Sequence, residues 1–112
     1  MKKIEAIIRP EMQNAVKSGL EAVGVVGLTI HEVQGRGAQK GLEFVNRAGK
    51  FRVDLLPKTL ISIVVPDEEV DKVIDAIVQN ARTGEPGDGK IFVMPAERAI
   101  RIRTGEEGDQ AI

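Results

Sequence analysis

The sequence contains no cysteine, tyrosine or tryptophan, and its aromatic residues are three phenylalanines, Phe44, Phe51 and Phe92. Without cysteine there is neither a disulfide framework nor a thiolate metal site. With so few aromatic side chains, the core has to be built from isoleucine, valine, leucine and alanine. A sheet that stacks nucleic-acid bases is also disfavoured, because Phe92 alone does not form an aromatic platform on the predicted strands.

Basic excess and long apolar runs are absent as well. Sixteen lysines and arginines against seventeen acidic residues give a net charge of −1, so the basic surface of a typical nucleic-acid-binding protein is missing. No apolar stretch approaches the ~20 residues of a membrane span, and the apolar run near the N-terminus is too short for a signal peptide. We therefore expect a cytoplasmic protein. His31, the only histidine, has no second histidine or cysteine with which to bind a metal.

What the sequence does contain is a degenerate internal repeat. A run of β-branched residues that ends in proline and an acid occurs at 2–11 and again at 58–67. Each acid opens a segment with apolar residues at helical spacing, and further apolar runs follow at 25–33 and 90–94. Two βαβ units predict one α+β domain, residues 1–112, with the ferredoxin-like βαββαβ sandwich and both helices on one face of an antiparallel sheet.

The other face of this sheet has no third helix to cover it. Small aliphatic cores are marginal in a chain of this size, so burial between subunits would add stability. We expect other subunits to cover that face through five aliphatic residues of the predicted strands, namely Ile8, Ile30, Ile61, Ile63 and Val65.

A long connection joins the two halves of the repeat. It opens with glycines at Gly35, ends at Leu-Pro-Lys58, and carries basic residues at Arg36, Lys40, Arg47, Lys50 and Arg52. The usual connection in a compact domain has ~4–6 residues, and much longer ones are functional or disordered. The remainder of the chain therefore reads as a scaffold that presents this loop.

A glycine-rich segment at 83–90 matches G-x-x-x-x-G-K from Gly84 to Lys90. It is not a Walker A loop, because Ile91 stands where serine or threonine would bind magnesium and the segment runs from helix to strand. Backbone N–H groups exposed by glycines, followed by a lysine, can still hold a phosphate. An ordinary turn followed by a surface lysine is an equally good explanation of this motif alone.

Two other segments have weaker signals for anions. Arg101 and Arg103 alternate around Ile102, and in an extended segment they would point to the same side, as suits a polyphosphate. The glycines of 35–41 could form a backbone nest, although Lys40 breaks the dinucleotide-binding pattern. A solvated edge strand and a plain loop base are the simpler interpretations of each segment alone.

Four motifs in this order closely resemble the PII nitrogen regulatory proteins of the GlnB/GlnK type. They are GRGAQKG at 35–41, LLPK at 55–58, TGEPGDGKIFV at 83–93 and IRIRTGE at 100–106, and the opening KKIEAIIRP agrees as well. The resemblance covers the whole chain and implies a homotrimer that transduces a signal and is not an enzyme. It also implies a T-loop at about 36–55, a B-loop at about 82–90 and a C-terminal loop at about 101–112.

The resemblance further implies effectors and partners. ATP or ADP would bind in clefts between subunits, and 2-oxoglutarate would bind together with MgATP. These effectors would change the T-loop, which engages or releases a target protein. The usual target of the GlnK type is an ammonium channel, so the protein would reach a membrane only through that partner. Glutamine synthetase, an acetylglutamate kinase and nitrogenase are alternative targets, and nucleic acid is not expected.

Binding residues follow from the resemblance position by position. For the nucleotide they are Thr29, Gly35, Gly37, Ala38, Gln39, Val64, Gly87, Asp88, Gly89, Lys90, Arg101 and Arg103. Thr29 and Val64 would line the adenine pocket, and Arg101 and Arg103 would reach the phosphates from the neighbouring subunit. For 2-oxoglutarate they are Arg9, Gly37, Gln39, Lys40, Gly41 and Lys58, with Gln39 also holding magnesium. Arg47 corresponds to the residue that can plug a channel's exit.

Several positions depart from the family pattern. Phe51 stands where enteric members have the tyrosine that receives a uridylyl group, and Gly49 stands where cyanobacterial members have a phosphorylated serine. We therefore expect no modification at either position and regulation by effectors alone. Ala38 removes a basic residue, and Ser62 replaces a glutamate near the adenine, so nucleotide preference is expected to differ from that of relatives.

An enzyme that handles phosphate on the same fold, such as an acylphosphatase or a nucleoside diphosphate kinase, is the remaining alternative. Such an enzyme needs an activated nucleophile or a partnered histidine. His31 has no such partner in the sequence pattern, so binding without turnover is the expected behaviour.

Overall fold

Strands and helices alternate along the chain as the repeat predicts. The structure, a computed structural model, describes residues 1–37 and 42–112, with 42–44, 46 and 51–53 described by their backbone. The strands are β1 (Lys2–Ile8), β2 (Thr29–Gly35), β3 (Leu42–Asn46), β4 (Gly49–Val53), β5 (Leu56–Val65) and β6 (Gly89–Pro95). The α-helices are α1 (Gln13–Ala22) and α2 (Val70–Ala81), and short 3₁₀ turns span Pro10–Met12, Asp67–Glu69 and Gly108–Ala111.

Four strands form the main sheet in the order β2-β5-β1-β6, and every neighbouring pair is antiparallel. Each half of the repeat thus contributes one central and one edge strand, with its helix crossing between them. The α+β, ferredoxin-like arrangement predicted from the repeat is confirmed. In the described part of the chain, no helix has the length and apolar character needed to span a membrane.

Both helices begin at the Pro-acid pairs that the sequence singled out. Pro10 and Asp67 each open a single 3₁₀ turn that leads into the α-helix. Pro10 is the first residue of its turn, where the fixed φ of proline is already helical and its missing N–H is not needed. Pro66 instead precedes its turn, with an extended ψ of 152°. The acidic residues there lie near the positive end of the helix dipole, which favours a negative charge.

The end of α1 explains why the second strand starts later than predicted. Gly24 adopts a φ of +89°, its N–H donates to the Glu21 carbonyl, and the Val25 N–H donates to the Leu20 carbonyl. This double closure is the Schellman motif, in which glycine takes the left-handed position. Val25 is therefore buried as part of the helix terminus, and β2 begins at Thr29 rather than at residue 25.

The core lies between one face of the sheet and the two helices. Alternate residues of β1 and β5 are at most 3% exposed and pack against equally buried residues of α1 and α2. The strand residues are Ile4, Ala6, Ile8, Thr59, Ile61, Ile63 and Val65, and the fully buried helix residues are Val16, Leu20, Val73 and Ile77.

The prediction of which residues occupy the uncovered face is wrong. Ile8, Ile61, Ile63 and Val65 are buried under the helices, and Ile30 packs against the same core. Alternation shows which side chains share a face, but not which of the two faces the helices cover. The open face instead carries the residues between them on the central strands, namely Lys3, Glu5, Ile7, Leu60, Ser62 and Val64. Cover by other subunits remains a prediction.

The connection at 36–55 contains structure of its own. Within it β3 pairs with β4 as an antiparallel hairpin, from Leu42 opposite Val53 to Asn46 opposite Gly49. A two-residue turn at 47–48 joins the strands, and Gly49 has a φ of +122°. Runs of apolar β-formers on both sides of Asn and Gly are a hairpin signal in the sequence. Sequence reasoning did not predict this hairpin, because it interpreted the basic residues of the segment as typical of a loop.

Candidate functional site

The B-loop, residues 82–90, is closed by the carboxylate of Asp88. One of its oxygens accepts hydrogen bonds from the backbone N–H groups of Thr83 (2.8 Å) and Gly84 (2.9 Å). The other accepts from the Thr83 hydroxyl at 2.5 Å, and that hydroxyl oxygen accepts from the Glu85 N–H at 3.1 Å. One carboxylate and one hydroxyl therefore define the turn.

Arg9, the first residue after β1, ties this loop to the sheet. Its Nε donates to Asp88 at 3.1 Å and its Nη2 donates to the Pro86 carbonyl at 2.7 Å. Both side chains of the ion pair are about three-quarters buried, with 23% and 25% exposed. The resemblance assigns Arg9 to 2-oxoglutarate, whereas in this structure its guanidinium is engaged by the B-loop.

These contacts fix the charge of Asp88. The hydrogen bond from the Thr83 hydroxyl holds its pKa well below the usual range, with help from the Thr83 and Gly84 N–H groups and from Arg9, while burial opposes the shift. Each donor stabilises the ionised form, so Asp88 is a carboxylate at neutral pH. Its negative charge is satisfied within the loop.

Gly89 lies where the B-loop meets the sheet, and no side chain fits there. Its φ is +108°, and a Cβ atom would lie 1.7 Å from the Ile7 carbonyl oxygen. Gly87 has a φ of +100° and packs against the Arg9 guanidinium, 3.3 Å from where its Cβ would be. Lys90 pairs with Ile7 in the β1–β6 register and is exposed. The predicted nucleotide residues of the B-loop therefore lie beside β1, namely Gly87, Asp88, Gly89 and Lys90.

Lys58 connects the B-loop to the long connection. Its ammonium group donates to the Gly87 carbonyl at 2.8 Å, and its side chain passes Gly35, whose Cβ would lie 3.7 Å from Lys58 Cγ. Arg36 and Asp54, near the two ends of the connection, form an ion pair of 2.7 Å. The start and end of 36–55 and the B-loop therefore share one end of the sheet.

The two residues predicted to line the adenine pocket, Thr29 and Val64, lie toward the opposite end of the sheet. Thr29 pairs with Ser62, and Val64 is six residues beyond Lys58 on β5, which corresponds to ~20 Å along an extended strand. Val64 lines a cavity of about 370 Å³ with Gly24–Gly27, Val65, Pro66, Glu69, Asp109 and Ile112. A single chain does not bring these residues to the B-loop.

Arg101 and Arg103 belong to this second group and lie in the predicted C-terminal loop. Instead of an extended segment they occupy a turn, in which the Gly105 N–H donates to the Arg101 carbonyl at 2.7 Å. Gly105 has a φ of +75°, which lets the chain reverse, whereas the alternation of arginines gave no sign of a turn. Arg101 also donates to the Glu106 carboxylate and the Gln110 carbonyl, and Ile102 between the arginines is 99% exposed.

Other predicted residues are placed only in part. Ala38, Gln39, Lys40 and Gly41 lie outside the described residues, and Gly37 before them is exposed. Arg47 is exposed in the turn between β3 and β4, beside Gly49, and the backbone of Phe51 lies in β4. His31 is exposed on β2. Among the side chains that the structure describes, no group of three or more His, Asp or Glu could hold a metal ion.

Thr83 is the residue that sequence reasoning missed. The available signal was a threonine and an aspartate bracketing Gly-Glu-Pro-Gly, because short oxygen side chains commonly accept hydrogen bonds from nearby backbone N–H groups. The link from Lys58 to Gly87 had no sequence signal, since it joins residues 29 positions apart that meet only in the folded sheet.

Comparison with known proteins shows the family to which the chain belongs. The family model described as nitrogen regulatory protein P-II matches residues 1–106. Nitrogen regulatory protein P-II 2 of Methanothermobacter thermautotrophicus is 54% identical over 112 residues, covering all of this chain and 97% of the relative. The P-II protein of Haemophilus influenzae (54%) and P-II 1 of Escherichia coli K12 (53%) are matched over the full length of both chains. The chain therefore belongs to the nitrogen regulatory protein P-II family, whose members are signal-transduction regulators and not enzymes.

Proposed function

We propose that this protein binds ATP or ADP and 2-oxoglutarate as a homotrimer and regulates an ammonium channel through the connection at 36–55. The observation that carries the proposal is the separation of the nucleotide residues into two groups at opposite ends of the sheet. A nucleotide site made from both groups needs the B-loop of one subunit and the far end of another. P-II regulators act by binding small effectors and target proteins. The separation of the two groups supports a nucleotide site between subunits.

The B-loop end has the chemistry for phosphates. Lys90 and Lys58 supply positive charge, and Gly87 and Gly89 keep the backbone clear of side chains. Backbone N–H groups of a glycine-rich turn bind anionic oxygens, and a lysine adds a point charge. An arginine turn from a neighbouring subunit, with Arg103 exposed beside Ile102, would complete a polyphosphate site.

The far end has the chemistry for a base. Val64 contributes an apolar wall beside Thr29 and Ser62, and the adjoining cavity is large enough for a planar ring to enter. Ser62 is a short hydroxyl side chain in the middle of this surface. We expect it to weaken the preference for adenine relative to other bases, because it accepts and donates hydrogen bonds without a fixed charge.

The second effector, 2-oxoglutarate, would bind where Lys58 meets the start of the connection. Lys58 offers an ammonium group for one carboxylate, and Gln39 with Lys40 and Gly41 would supply the rest, including the magnesium ligand. A ligand in this place would contact residues at both ends of 36–55. This position supports effector control of the T-loop without a covalent switch, since Phe51 has no hydroxyl to uridylylate and Gly49 has none to phosphorylate.

Calorimetric titration tests the proposal. ATP should bind to the trimer, and 2-oxoglutarate should bind only in the presence of MgATP. Coupling of two ligands is reciprocal and is typically worth about 1–3 kcal/mol. If 2-oxoglutarate binds equally well without MgATP, the proposed coupling fails. Arg103→Ala and Lys90→Ala should each weaken ATP binding, and unchanged affinity in both variants would contradict the site between subunits.

The target is tested by capture from native extract. An ammonium channel should be retained more strongly with ADP than with MgATP and 2-oxoglutarate, and mass spectrometry of the recovered protein should show no uridylylated form. Capture of glutamine synthetase, an acetylglutamate kinase or nitrogenase instead would assign one of the alternative targets.

A further inference from the structure

We propose that Arg9, Thr83 and Asp88 are positioning residues, which hold the B-loop in its anion-binding shape without touching the nucleotide. The inference rests on the proposed function, since it concerns the same phosphate site. Asp88, which the resemblance assigns to nucleotide binding, would instead support the loop. Arg9, which the resemblance assigns to 2-oxoglutarate, would instead support the nucleotide loop.

The carboxylate of Asp88 has no capacity to spare for a ligand. Its two oxygens accept four hydrogen bonds, from the Thr83 N–H and hydroxyl, the Gly84 N–H and Arg9 Nε. A carboxylate that faced a phosphate would instead repel it. Because these donors come from inside the loop and from β1, Asp88 fixes the path of the backbone.

The two cations beside the loop orient its peptide groups. The Pro86 carbonyl accepts from Arg9, and the Gly87 carbonyl accepts from Lys58. All peptide bonds described are trans, and in a trans peptide the N–H points opposite to the carbonyl. The N–H groups of Gly87 and Asp88 therefore point away from Arg9 and Lys58 respectively.

These two N–H groups make no hydrogen bond within the described part of the chain. Successive backbone N–H groups of a turn can form a concave anion site, and Gly87, with a φ of +100°, provides such a turn between them. Arg9 fixes the orientation of the Pro86 carbonyl, and Asp88 closes the turn through its hydrogen bonds to Thr83. Together they orient these two N–H donors before any ligand binds. Preorganised donors bind an anion more tightly than donors that must be ordered on binding.

A matched pair at residue 83 tests the role of the hydroxyl. Thr83→Val keeps the shape but removes both hydroxyl hydrogen bonds, and Thr83→Ser keeps them. Calorimetry on the full trimer should show ATP and ADP affinities lowered about tenfold by Thr83→Val, and within about threefold of wild type for Thr83→Ser. Equal loss for both nucleotides is expected because the loop, and not a particular phosphate, is affected. Equal weakening by Thr83→Ser and Thr83→Val would overturn the role of the hydroxyl.

Asp88→Asn distinguishes a positioning role of Asp88 from direct contact with the phosphates, because the two roles predict opposite changes in ATP affinity. If Asp88 faced the phosphates, removal of its charge would tighten ATP binding. A positioning role predicts weaker binding, and it predicts that Thr83→Val/Asp88→Asn loses less affinity than the sum of the two single variants, since residues 83 and 88 belong to one hydrogen-bond network. Tighter ATP binding by Asp88→Asn, or fully additive losses, would overturn the inference.

Arg9→Gln changes a residue outside the B-loop. It therefore tests the positioning role even if the variants within the loop fail to fold. It should also weaken ATP and ADP alike, with circular dichroism unchanged, whereas Lys72→Ala, which removes a surface ion pair with Glu69 on α2, should leave affinity unchanged. If wild-type protein binds no ATP, the proposed function itself fails. If wild type binds ATP and Arg9→Gln binds it equally well, only the positioning role is refuted.

Discussion

Lys58 donates a 2.8 Å hydrogen bond from its ammonium group to the carbonyl oxygen of Gly87. The two residues are 29 positions apart in the second half of the repeat, and their contact joins β5, the strand that follows the long connection, to the B-loop. An ammonium group in this position can leave a neutral carbonyl for a carboxylate, because a hydrogen bond between two charged groups is the stronger one. The contact therefore offers a direct route by which a dicarboxylate could affect the nucleotide loop.

The first prediction concerns Lys58→Met, which keeps the length of the side chain and removes its charge. The affinity for 2-oxoglutarate in the presence of MgATP should fall at least about tenfold, as expected for a lost charge-assisted hydrogen bond. ATP alone should lose only about two- to threefold, since the Gly87 carbonyl can turn to water. Calorimetry measures both affinities, and Lys17→Met on the exposed side of α1 is the control. Unchanged 2-oxoglutarate binding would remove Lys58 from that site.

The second prediction concerns Gly89→Ala. The added methyl group would lie 1.7 Å from the Ile7 carbonyl oxygen at a φ of +108°, so β6 must move away from β1 at its first residue. We expect a loss of about 3 kcal/mol or more in the free energy of unfolding, from backbone strain and lost strand pairing. Urea unfolding provides the measurement.

The matched control is Gly27→Ala, whose Cβ meets nothing within 4 Å and whose φ is not positive. This variant should be unchanged or more stable by up to about 1 kcal/mol, because alanine restricts the unfolded chain. If both variants unfold at the same urea concentration, the close approach of Gly89 to β1 is not a constraint on stability.

The third prediction concerns the contribution of Asp88 to the stability of the folded protein at low pH. Since its pKa is lowered in the folded protein, its ionised form stabilises the fold at every pH above the ordinary aspartate value of ~3.9. That stabilisation is lost as the pH falls from there toward the lower folded pKa. The melting temperature of wild type should therefore fall by more between about pH 5 and pH 2 than the melting temperature of Asp88→Asn does.

Asp67, whose pKa is lowered by the N-terminal amino group, is common to both proteins, so the difference between them isolates Asp88. Parallel melting curves for wild type and Asp88→Asn across this pH range would mean that the network around Asp88 does not survive in solution.

The fold could be predicted because the repeat fixes both the order and the type of its elements. The two Pro-acid pairs mark helix starts with local chemistry that needs no tertiary information. The choice of sheet face failed for the opposite reason. Ile8 and Ile7 are equally apolar neighbours, and only the path of the helices decides that Ile8 is buried and Ile7 lies on the open face.

The candidate site was predictable in its residue types but not in its contacts. Glycines followed by Lys90 indicated an anion site from sequence alone, because the chemistry of such a loop is local. The pairing of Arg9 with Asp88 joins residues 79 positions apart, and it depends on β6 lying next to β1. Interactions of this kind follow from topology, which is known only once the sheet order is known.

The fourth prediction concerns the crossing of the two helices. A Cβ at Gly19 of α1 would lie 2.1 Å from Nδ2 of Asn80 in α2, and that amide donates to the Ala76 carbonyl at 2.7 Å. Gly19→Ala should gain about 1 kcal/mol of helix propensity, but it must displace the Asn80 side chain, so we expect a net loss of about 1–2 kcal/mol. Gly19→Ala/Asn80→Ala removes the displaced side chain and should be more stable than Gly19→Ala alone. Urea unfolding of the four proteins in this cycle measures the coupling.

Strictly additive free energies of unfolding would show that residues 19 and 80 do not touch. In that case the glycine would not contribute to the close approach of α1 and α2. The approach would then be set by the buried residues of the two helices, namely Val16, Leu20, Val73 and Ile77.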